Sequence, residues 1–460
     1  MSKKTSHINI SERKLLLRSF DVLVMILSIY FASVYSDFGY LDVSKNLVSL
    51  WFIVLAVYFL LFGEIFQLYN LNVSNNPFLV VRSIFITSSI TTLIYVLSPY
   101  ITPSLPENRL QIIYFFFLIT IPVIVWRFLY MWFLFSPKYF KTIVVIGHSS
   151  RVEKLIKLIQ LNNFHKIATY VSNTEIEGIS NFNDAKKVNL LEVVHASLAT
   201  EIVISTTGFS SETIKNLNEQ LILLFKEGIN IKSFETYYEE VTNSVPKEYL
   251  DHNFYENFNL SKNNDAHFYH FIQRIIDVVI SIVGLSFFVC ILPLLLIGNL
   301  IGNRGSLFYI QERVGFKGKG FKIFKLRSMV KNAEKDGAVW AEKNDKRITS
   351  FGRFLRNTRL DELPQFLNIL KGEMSTIGPR PERPVFVHDL ERKLPFYAIR
   401  HIVKPGLTGW AQVNYPYANT IEEQETKLRY DLYYIKERSS FLDFQILIKT
   451  ITTVLFFRGQ

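Results

Sequence analysis

Two adjacent carboxylates, Asp361 and Glu362, stand in the run Leu360-Asp361-Glu362-Leu363-Pro364-Gln365. An arginine turn, Gly378-Pro379-Arg380-Pro381-Glu382, follows shortly after. Apolar residues at Leu363, Phe366, Leu367 and Leu370 have helical spacing, and Pro364 suits the first turn of a helix. The carboxylates therefore fall at a predicted helix start, where the anionic form is favoured. Either could act at neutral pH as a nucleophile on phosphorus or as a magnesium ligand. The plainer reading is an acidic helix start worth about 0.3–1 kcal/mol, and spacing alone favours it. The surroundings shift the balance. Arg353, Arg356 and Arg359 lie just upstream, and prolines on both sides of Arg380 fix its backbone. That rigidity lowers the entropic penalty of aiming a guanidinium at phosphate. Phosphoryl transfer needs an in-line nucleophile, cations for the phosphate oxygens and usually a metal.

Two glycine-rich segments flank this set. Lys404-Pro-Gly-Leu-Thr-Gly-Trp-Ala-Gln-Val-Asn414 is a punctuated loop with an aromatic and amides, suited to packing on a base or sugar. Gly315-Phe-Lys-Gly318-Lys-Gly320 lacks the spacing and the Lys-Ser/Thr of a nucleotide-binding loop. It reads better as a basic hairpin lying on lipid headgroups.

The elements that must hold this chemistry begin with a membrane region. A chain of 460 residues exceeds one ordinary domain, and its 49% hydrophobic content with 40 Phe is too apolar for a purely soluble protein. Runs at Val22–Ser36, Leu47–Phe62, Ile84–Ser98 and Leu110–Phe135 (broken only by Arg127) approach, with their flanks, the ~20 residues of a membrane helix. A buried core competes for the two shorter runs. Lys3, Lys4, Arg13, Lys14 and Arg18 precede the first run, and Lys138 and Lys141 follow the fourth. The loops at 37–46 and 99–109 hold one basic residue each, so the N-terminus and the chain after residue 140 should be cytoplasmic. The first run has no small-residue cleavage site after it and reads as an anchor. One cysteine, Cys290, excludes an intrachain disulfide framework and fits a reducing compartment. A pI near 9.3 suits an anionic lipid or phosphate partner; with the apolar runs, membrane lipids are expected and nucleic acid is not.

Residues 141–238 alternate strand-like and helix-like patterns, which argues for a small parallel α/β domain. Its first turn, Gly147-His-Ser-Ser-Arg151, lacks the later glycines of the dinucleotide fingerprint, so a structural or regulatory role is favoured over cofactor binding. Residues 239–267 read as a linker. From Val278 to Ile301 no charge occurs, yet both flanks are basic and Pro293 sits centrally. A helix that enters, bends at Pro293 and returns to the same face satisfies both facts; an ordinary fifth span is the alternative.

The blocks Phe308–Gly315, Phe324–Met329, Leu360–Gln365, Lys371–Ser375, Gly378–Glu382 and Lys404–Asn414 together resemble the bacterial sugar transferase family, the polyprenyl-phosphate glycosylphosphotransferases. The resemblance covers about residues 268–460. Four spans and an α/β domain ahead of it are similar to the long form, found in exopolysaccharide, capsule and O-antigen initiation. The resemblance implies four transmembrane helices (1–140) as a bundle, a Rossmann-like α/β domain (141–238), the linker (239–267), a re-entrant membrane helix (268–303) and a mixed, mostly α-helical catalytic domain (304–460). It implies transfer of a sugar-1-phosphate from a UDP-sugar to undecaprenyl phosphate with release of UMP. Asp361 would be the nucleophile of a covalent phosphosugar intermediate, with Mg2+ beside it, and Glu362 would assist in positioning or proton transfer. Arg356 and Arg380 would bind phosphate; Lys325, Arg327, Pro381, Glu382 and Lys404, all within the matching blocks, complete the expected substrate contacts. Multi-pass placement in the bacterial inner membrane is implied, with homo-oligomerisation left open. Short members often carry Lys-Arg before the helix and Ser-Pro at its break; here these positions read Gln273-Arg274 and Leu292-Pro293. The Gly-Arg often found after Gln-Val-Asn is replaced by Tyr415-Pro-Tyr417, which leaves the donor sugar undetermined. A non-catalytic scaffold or regulator of polysaccharide export would tolerate loss of the Asp-Glu pair. A nucleotide-sugar dehydratase or epimerase would need the missing glycine fingerprint.

Overall fold

The computed structural model describes residues 10–36, 38–42, 46–70, 77–133, 141–160, 165–250, 254, 258, 267–331, 333, 345–415 and 418–455. Lys3, Lys4, Asp37, Lys45, Lys138, Lys262, Pro416, Tyr417 and much of the expected linker lie outside these. The chain divides into two units, residues 1–237 and 238–460.

The first unit opens with four apolar helices, α1 (Ile10–Tyr35), α2 (Val48–Ile65), α3 (Pro77–Val96) and α4 (Leu110–Phe133), all long enough to cross a membrane. They pack on one another through Leu17, Met25, Leu55, Phe59, Ile84, Phe115, Ile119 and Val123. Their outward faces are equally apolar, with Leu27, Ile53, Val57, Phe85, Phe117 and Ile121 exposed. A helix apolar all round belongs in lipid rather than water. Arg127, the charge that breaks the fourth run, is fully buried. It donates from Nε and Nη2 to the two Asp21 carboxylate oxygens at 3.0 and 2.5 Å. A paired charge is the form in which an intramembrane arginine is tolerated.

The α/β part carries β1 (Lys141–Ile146), α5 (Ser149–Gln160), β2 (His165–Ser172), β3 (Phe182–Asp184), α6 (Leu190–Ser197), β4 (Glu201–Ile204), α7 (Ser211–Lys226), β5 (Asn230–Ser233) and α8 (Phe234–Thr242). The five strands are all parallel, in the order β3-β2-β1-β4-β5. Continuous burial of Ile143–Ile146 is what a parallel strand covered on both faces requires. Strand β3 and helix α6 escape sequence reading because both are short and carry little periodicity.

The second unit takes in the described part of the stretch read as linker. Val245, Tyr249, Leu250, Phe254 and Phe258 pack with Trp410, Leu428 and Leu432 in one core. Trp410 Nε1 donates to the Asn243 carbonyl at 2.8 Å, and Arg429 Nε to the Val245 carbonyl at 2.7 Å. Next comes α9 (His267–Gly302), a 36-residue helix with Pro293 inside it. Strands β6 (Phe308–Val314) and β7 (Gly320–Leu326) form an antiparallel hairpin whose turn puts Lys317 and Gly318 at positive φ. The remaining elements are α10 (Ser350–Asn357), a 3-10 turn (Leu360–Gln365), α11 (Phe366–Lys371), β8 (Ser375–Ile377), α12 (Pro384–Lys393), β9 (Gly406–Thr408), α13 (Trp410–Asn414), α14 (Ile421–Glu437) and α15 (Ser440–Leu455). Strands β8 and β9 pair in parallel.

One face of α9 packs along this unit nearly end to end. A Cβ at Gly284 would come within 2.4 Å of the Phe366 ring, and Cβ atoms at Gly298 and Gly302 within 2.4 and 2.5 Å of Phe351. Phe288 and Leu295 join Leu326 and Leu355 in a shared core. The opposite face exposes Val279, Val283, Val289, Leu294, Leu300 and Ile301.

Candidate active site

The carboxylate pair is delivered by a sharp reversal. Thr349 caps α10 by accepting from Gly352 N at 2.9 Å. Gly352 is required there, since a Cβ would fall 1.9 Å from the Ser328 carbonyl oxygen. After α10, Arg359 adopts φ 54°, turning the chain into the 3-10 segment Leu360–Gln365. Asp361 and Glu362 thus sit in a 3-10 turn, and the α-helix proper starts only at Phe366. Turns of this kind are frequent at helix N-termini.

Both carboxylates are buried, but their surroundings differ. Glu362 Oε1 accepts from Arg380 Nη2 at 2.6 Å and lies 3.5 Å from Lys325 Nζ, while its Oε2 lies 3.3 Å from Arg359 Nη1. Among the described residues no donor hydrogen-bonds Asp361, which feels Lys325, Arg356 and Arg380 only through space. Burial lifts the Asp361 pKa above the ordinary carboxylate range, helped by the Glu362 charge and opposed by the three cations. Burial pulls Glu362 the same way, but Arg380, Lys325 and Arg359 outweigh it and hold Glu362 well below that range. Two adjacent carboxyls are so driven apart, the usual sign of divided roles. Burial and the nearby Arg380 also lower Lys325 to about 8.

A second layer holds the cations. Arg356 Nε donates to Ser328 Oγ at 2.8 Å. Glu382 accepts from Lys427 Nζ at 2.7 Å and faces Arg313 at 3.5 Å, and Arg313 donates to the Pro381 carbonyl at 3.1 Å. Arg400 Nη2 donates both to the Arg380 carbonyl at 3.0 Å and to Asp431 Oδ2 at 2.7 Å. The Pro-Arg-Pro-Glu turn is therefore clamped from β6, α14 and the Arg400 segment. Sequence reasoning named neither Arg400, Lys427 nor Asp431, because charges on a helix read as solvent-facing until the helix is placed.

Lys325, Arg356, Arg380, Asp361 and Glu362 thus gather, with Pro381 and Glu382 as support. Two predicted residues lie elsewhere. Arg327 bonds Ser306 Oγ beside the end of α9. Lys404 lies next to Gly372 and Arg274. Among the described residues no group of three or more Asp, Glu, His or Cys gathers for a metal. Asp361 is the unengaged carboxylate here, and one carboxylate plus substrate phosphates is a common magnesium set.

A profile described as bacterial sugar transferase matches residues 268–457. The UDP-glucose:undecaprenyl-phosphate glucose-1-phosphate transferase of Caulobacter vibrioides is 34% identical over 185 residues, 40% of this chain and 69% of that protein. The chain belongs to the bacterial sugar transferase family. The UDP-N-acetylgalactosamine-undecaprenyl-phosphate N-acetylgalactosaminephosphotransferase of Aeromonas hydrophila is 43% identical over 187 residues, 41% of this chain and 44% of that protein. The UDP-glucose:undecaprenyl-phosphate glucose-1-phosphate transferase of Escherichia coli is 39% identical over 183 residues, 39% of each. The match thus spans less than half the length of these two relatives.

Proposed function

We propose that this sugar transferase family member is a phosphoglycosyl transferase moving a sugar-1-phosphate from a UDP-sugar to undecaprenyl phosphate. The observation that carries this reading is the asymmetry of the pair: Asp361 is buried, unbonded and ringed by cations, while Glu362 is fully engaged by Arg380, Lys325 and Arg359. An Asp361 oxygen attacks the β-phosphorus of the UDP-sugar, forming an acyl-phosphate bond as the bond to the α–β bridging oxygen breaks and UMP leaves. An oxygen of undecaprenyl phosphate then attacks the same phosphorus and frees Asp361. Arg380, Lys325 and Arg356 balance the charge that builds on the phosphoryl oxygens. Glu362 orients Arg380 and Lys325. Mg2+ fits beside Asp361, where it would neutralise phosphate charge.

The reading extends to the membrane. Helices α1–α4 form a four-helix transmembrane bundle (1–140), followed by a Rossmann-like domain (141–238), the segment 239–267, a re-entrant helix (268–303) and the catalytic domain (304–460). Contacts of α9 with its own unit from Arg274 to Gly302 support a helix that does not cross. Both the α/β and catalytic domains then face the cytoplasm of a bacterial inner membrane, and the product starts a surface glycan such as exopolysaccharide, capsule or O-antigen.

The deciding experiment is Asp361→Asn assayed by UMP release from a panel of UDP-sugars with undecaprenyl phosphate. Turnover is expected to fall more than about a thousandfold, with loss of any covalent phosphosugar adduct on the chain. Substantial residual turnover would remove Asp361 as nucleophile.

A further inference from the structure

The polar end of α9 holds a second group of cations. Arg274 donates from Nη1 to the Ile369 carbonyl at 2.6 Å and from Nη2 to the Leu370 carbonyl at 2.7 Å, capping the C-terminal end of α11. These partners are neutral, and among the described residues no carboxylate comes within ion-pair distance of Arg274. Lys404 lies beside it. A Cβ at Gly372 would stand 3.6 Å from Lys404 Nζ and 3.9 Å from Arg274 Nη2. Gly372 has φ +83° and no side chain, so the space facing both cations stays open.

Lys404 is half-buried and, among the described residues, has no hydrogen-bond or ion-pair partner. Its electrostatic neighbours are Arg274, Asp277 and Arg438, and none of these is among the main influences on Asp361 or Glu362. The carboxylate in reach, Asp277, already accepts from Thr376 N at 2.7 Å and Ser375 Oγ at 3.1 Å. Arg438 is held by Gln273 Oε1 at 2.6 Å and Tyr269 Oη at 3.1 Å. Burial and the adjacent Arg274 push the Lys404 pKa down, a penalty that a bound anion would relieve.

The position within α9 narrows the anion. Asp277 is the last charge before the uncharged stretch Val278–Ile301; the exposed apolar outer face runs on through Ile276, Ile275 and Phe271 to Phe268. The cations stand where the charges of α9 meet its uncharged stretch, and a charged group beside an apolar helix face suits the level of lipid phosphates at a membrane.

We infer that Arg274, Lys404 and the open Gly372 backbone form a phosphate-binding site, distinct from the Asp361 cluster, that takes a lipid headgroup phosphate or a soluble one. Its occupant pins the polar end of α9 at the membrane surface. This rests on the membrane seating of α9 proposed above.

Native mass spectrometry of the purified full chain in detergent tests it, with phosphatidylglycerol as probe and inorganic phosphate as competitor. The unmodified chain should retain phosphatidylglycerol. Lys404→Gln should retain it about fivefold less well, and Lys404→Arg, which restores the charge, should recover it. Displacement by inorganic phosphate assigns the site to soluble phosphate, and resistance assigns it to the headgroup; either result upholds a phosphate site. No binding by the unmodified chain, or equal binding by a Lys404→Gln variant with unchanged melting, overturns it. Because binding is read without turnover, a chain that never releases UMP yet shows this Lys404 dependence would sink the proposed reaction and leave the site standing.

Discussion

At residue scale, the opposed titration of Asp361 and Glu362 has a measurable consequence. A nucleophilic Asp361, as proposed, must be ionised, so kcat/KM should fall as pH drops through its raised pKa, well above where an ordinary carboxylate titrates. An alkaline limb should appear near pH 8 as Lys325 loses its proton. Glu362 stays ionised throughout because Arg380, Lys325 and Arg359 stabilise its anion. In Glu362→Gln the neighbouring negative charge that lifts Asp361 is gone, so the acid limb should move to lower pH while kcat falls. An acid limb unmoved in that variant would show that Asp361 does not feel Glu362.

At element scale, the site depends on pieces remote in sequence. The turn holding Arg380 is clamped by Arg400, whose partner Asp431 lies on α14, and both are nearly excluded from solvent. Removing one partner of a buried pair leaves the other charge stranded, which costs about 3–5 kcal/mol. Asp431→Asn should therefore lower the melting temperature and also reduce kcat, since the Arg400 bond to the Arg380 carbonyl loses its anchor. A variant that melts earlier but keeps full turnover at permissive temperature would limit the pair to stability. The hairpin β6–β7 was legible beforehand from Gly315, Gly318 and Gly320, as were β1 and β4 of the parallel sheet from their apolar runs. The 3-10 turn at Leu360 was not, because a left-handed Arg359 leaves no sequence signal.

At the scale of the whole molecule, the question is on which side of the membrane each part lies. In a Cys290→Ser background, Ser104→Cys should react with a membrane-impermeant maleimide added to intact spheroplasts. Glu219→Cys on α7 and Lys319→Cys in the hairpin should react only after lysis. Labelling of Lys319→Cys from outside would make α9 a crossing span. Among the described residues five helices have the length and apolarity to cross, so composition alone cannot exempt α9. Its contacts with its own unit from Arg274 to Gly302 are what argue for its return.

The order of residues alone decided a good deal: the apolar runs, the parallel α/β pattern, the motif blocks and the Asp361-Glu362 pair are local features, readable because hydrophobic period and spacing act over a few residues. Which carboxylate stays unbonded was settled only in three dimensions. Glu362 is neutralised by Lys325 from β7, Arg359 from the preceding turn and Arg380 from beyond β8, so burial, which raises both carboxyls, is outweighed at Glu362 and prevails at Asp361. The separation of Lys404 from that cluster has the same origin. Its backbone leads into β9, which pairs with β8 close to Arg380, but its side chain lies beside Gly372 and Arg274. Charge and solvent exclusion act through space, and the distances that govern them exist only once the chain has folded.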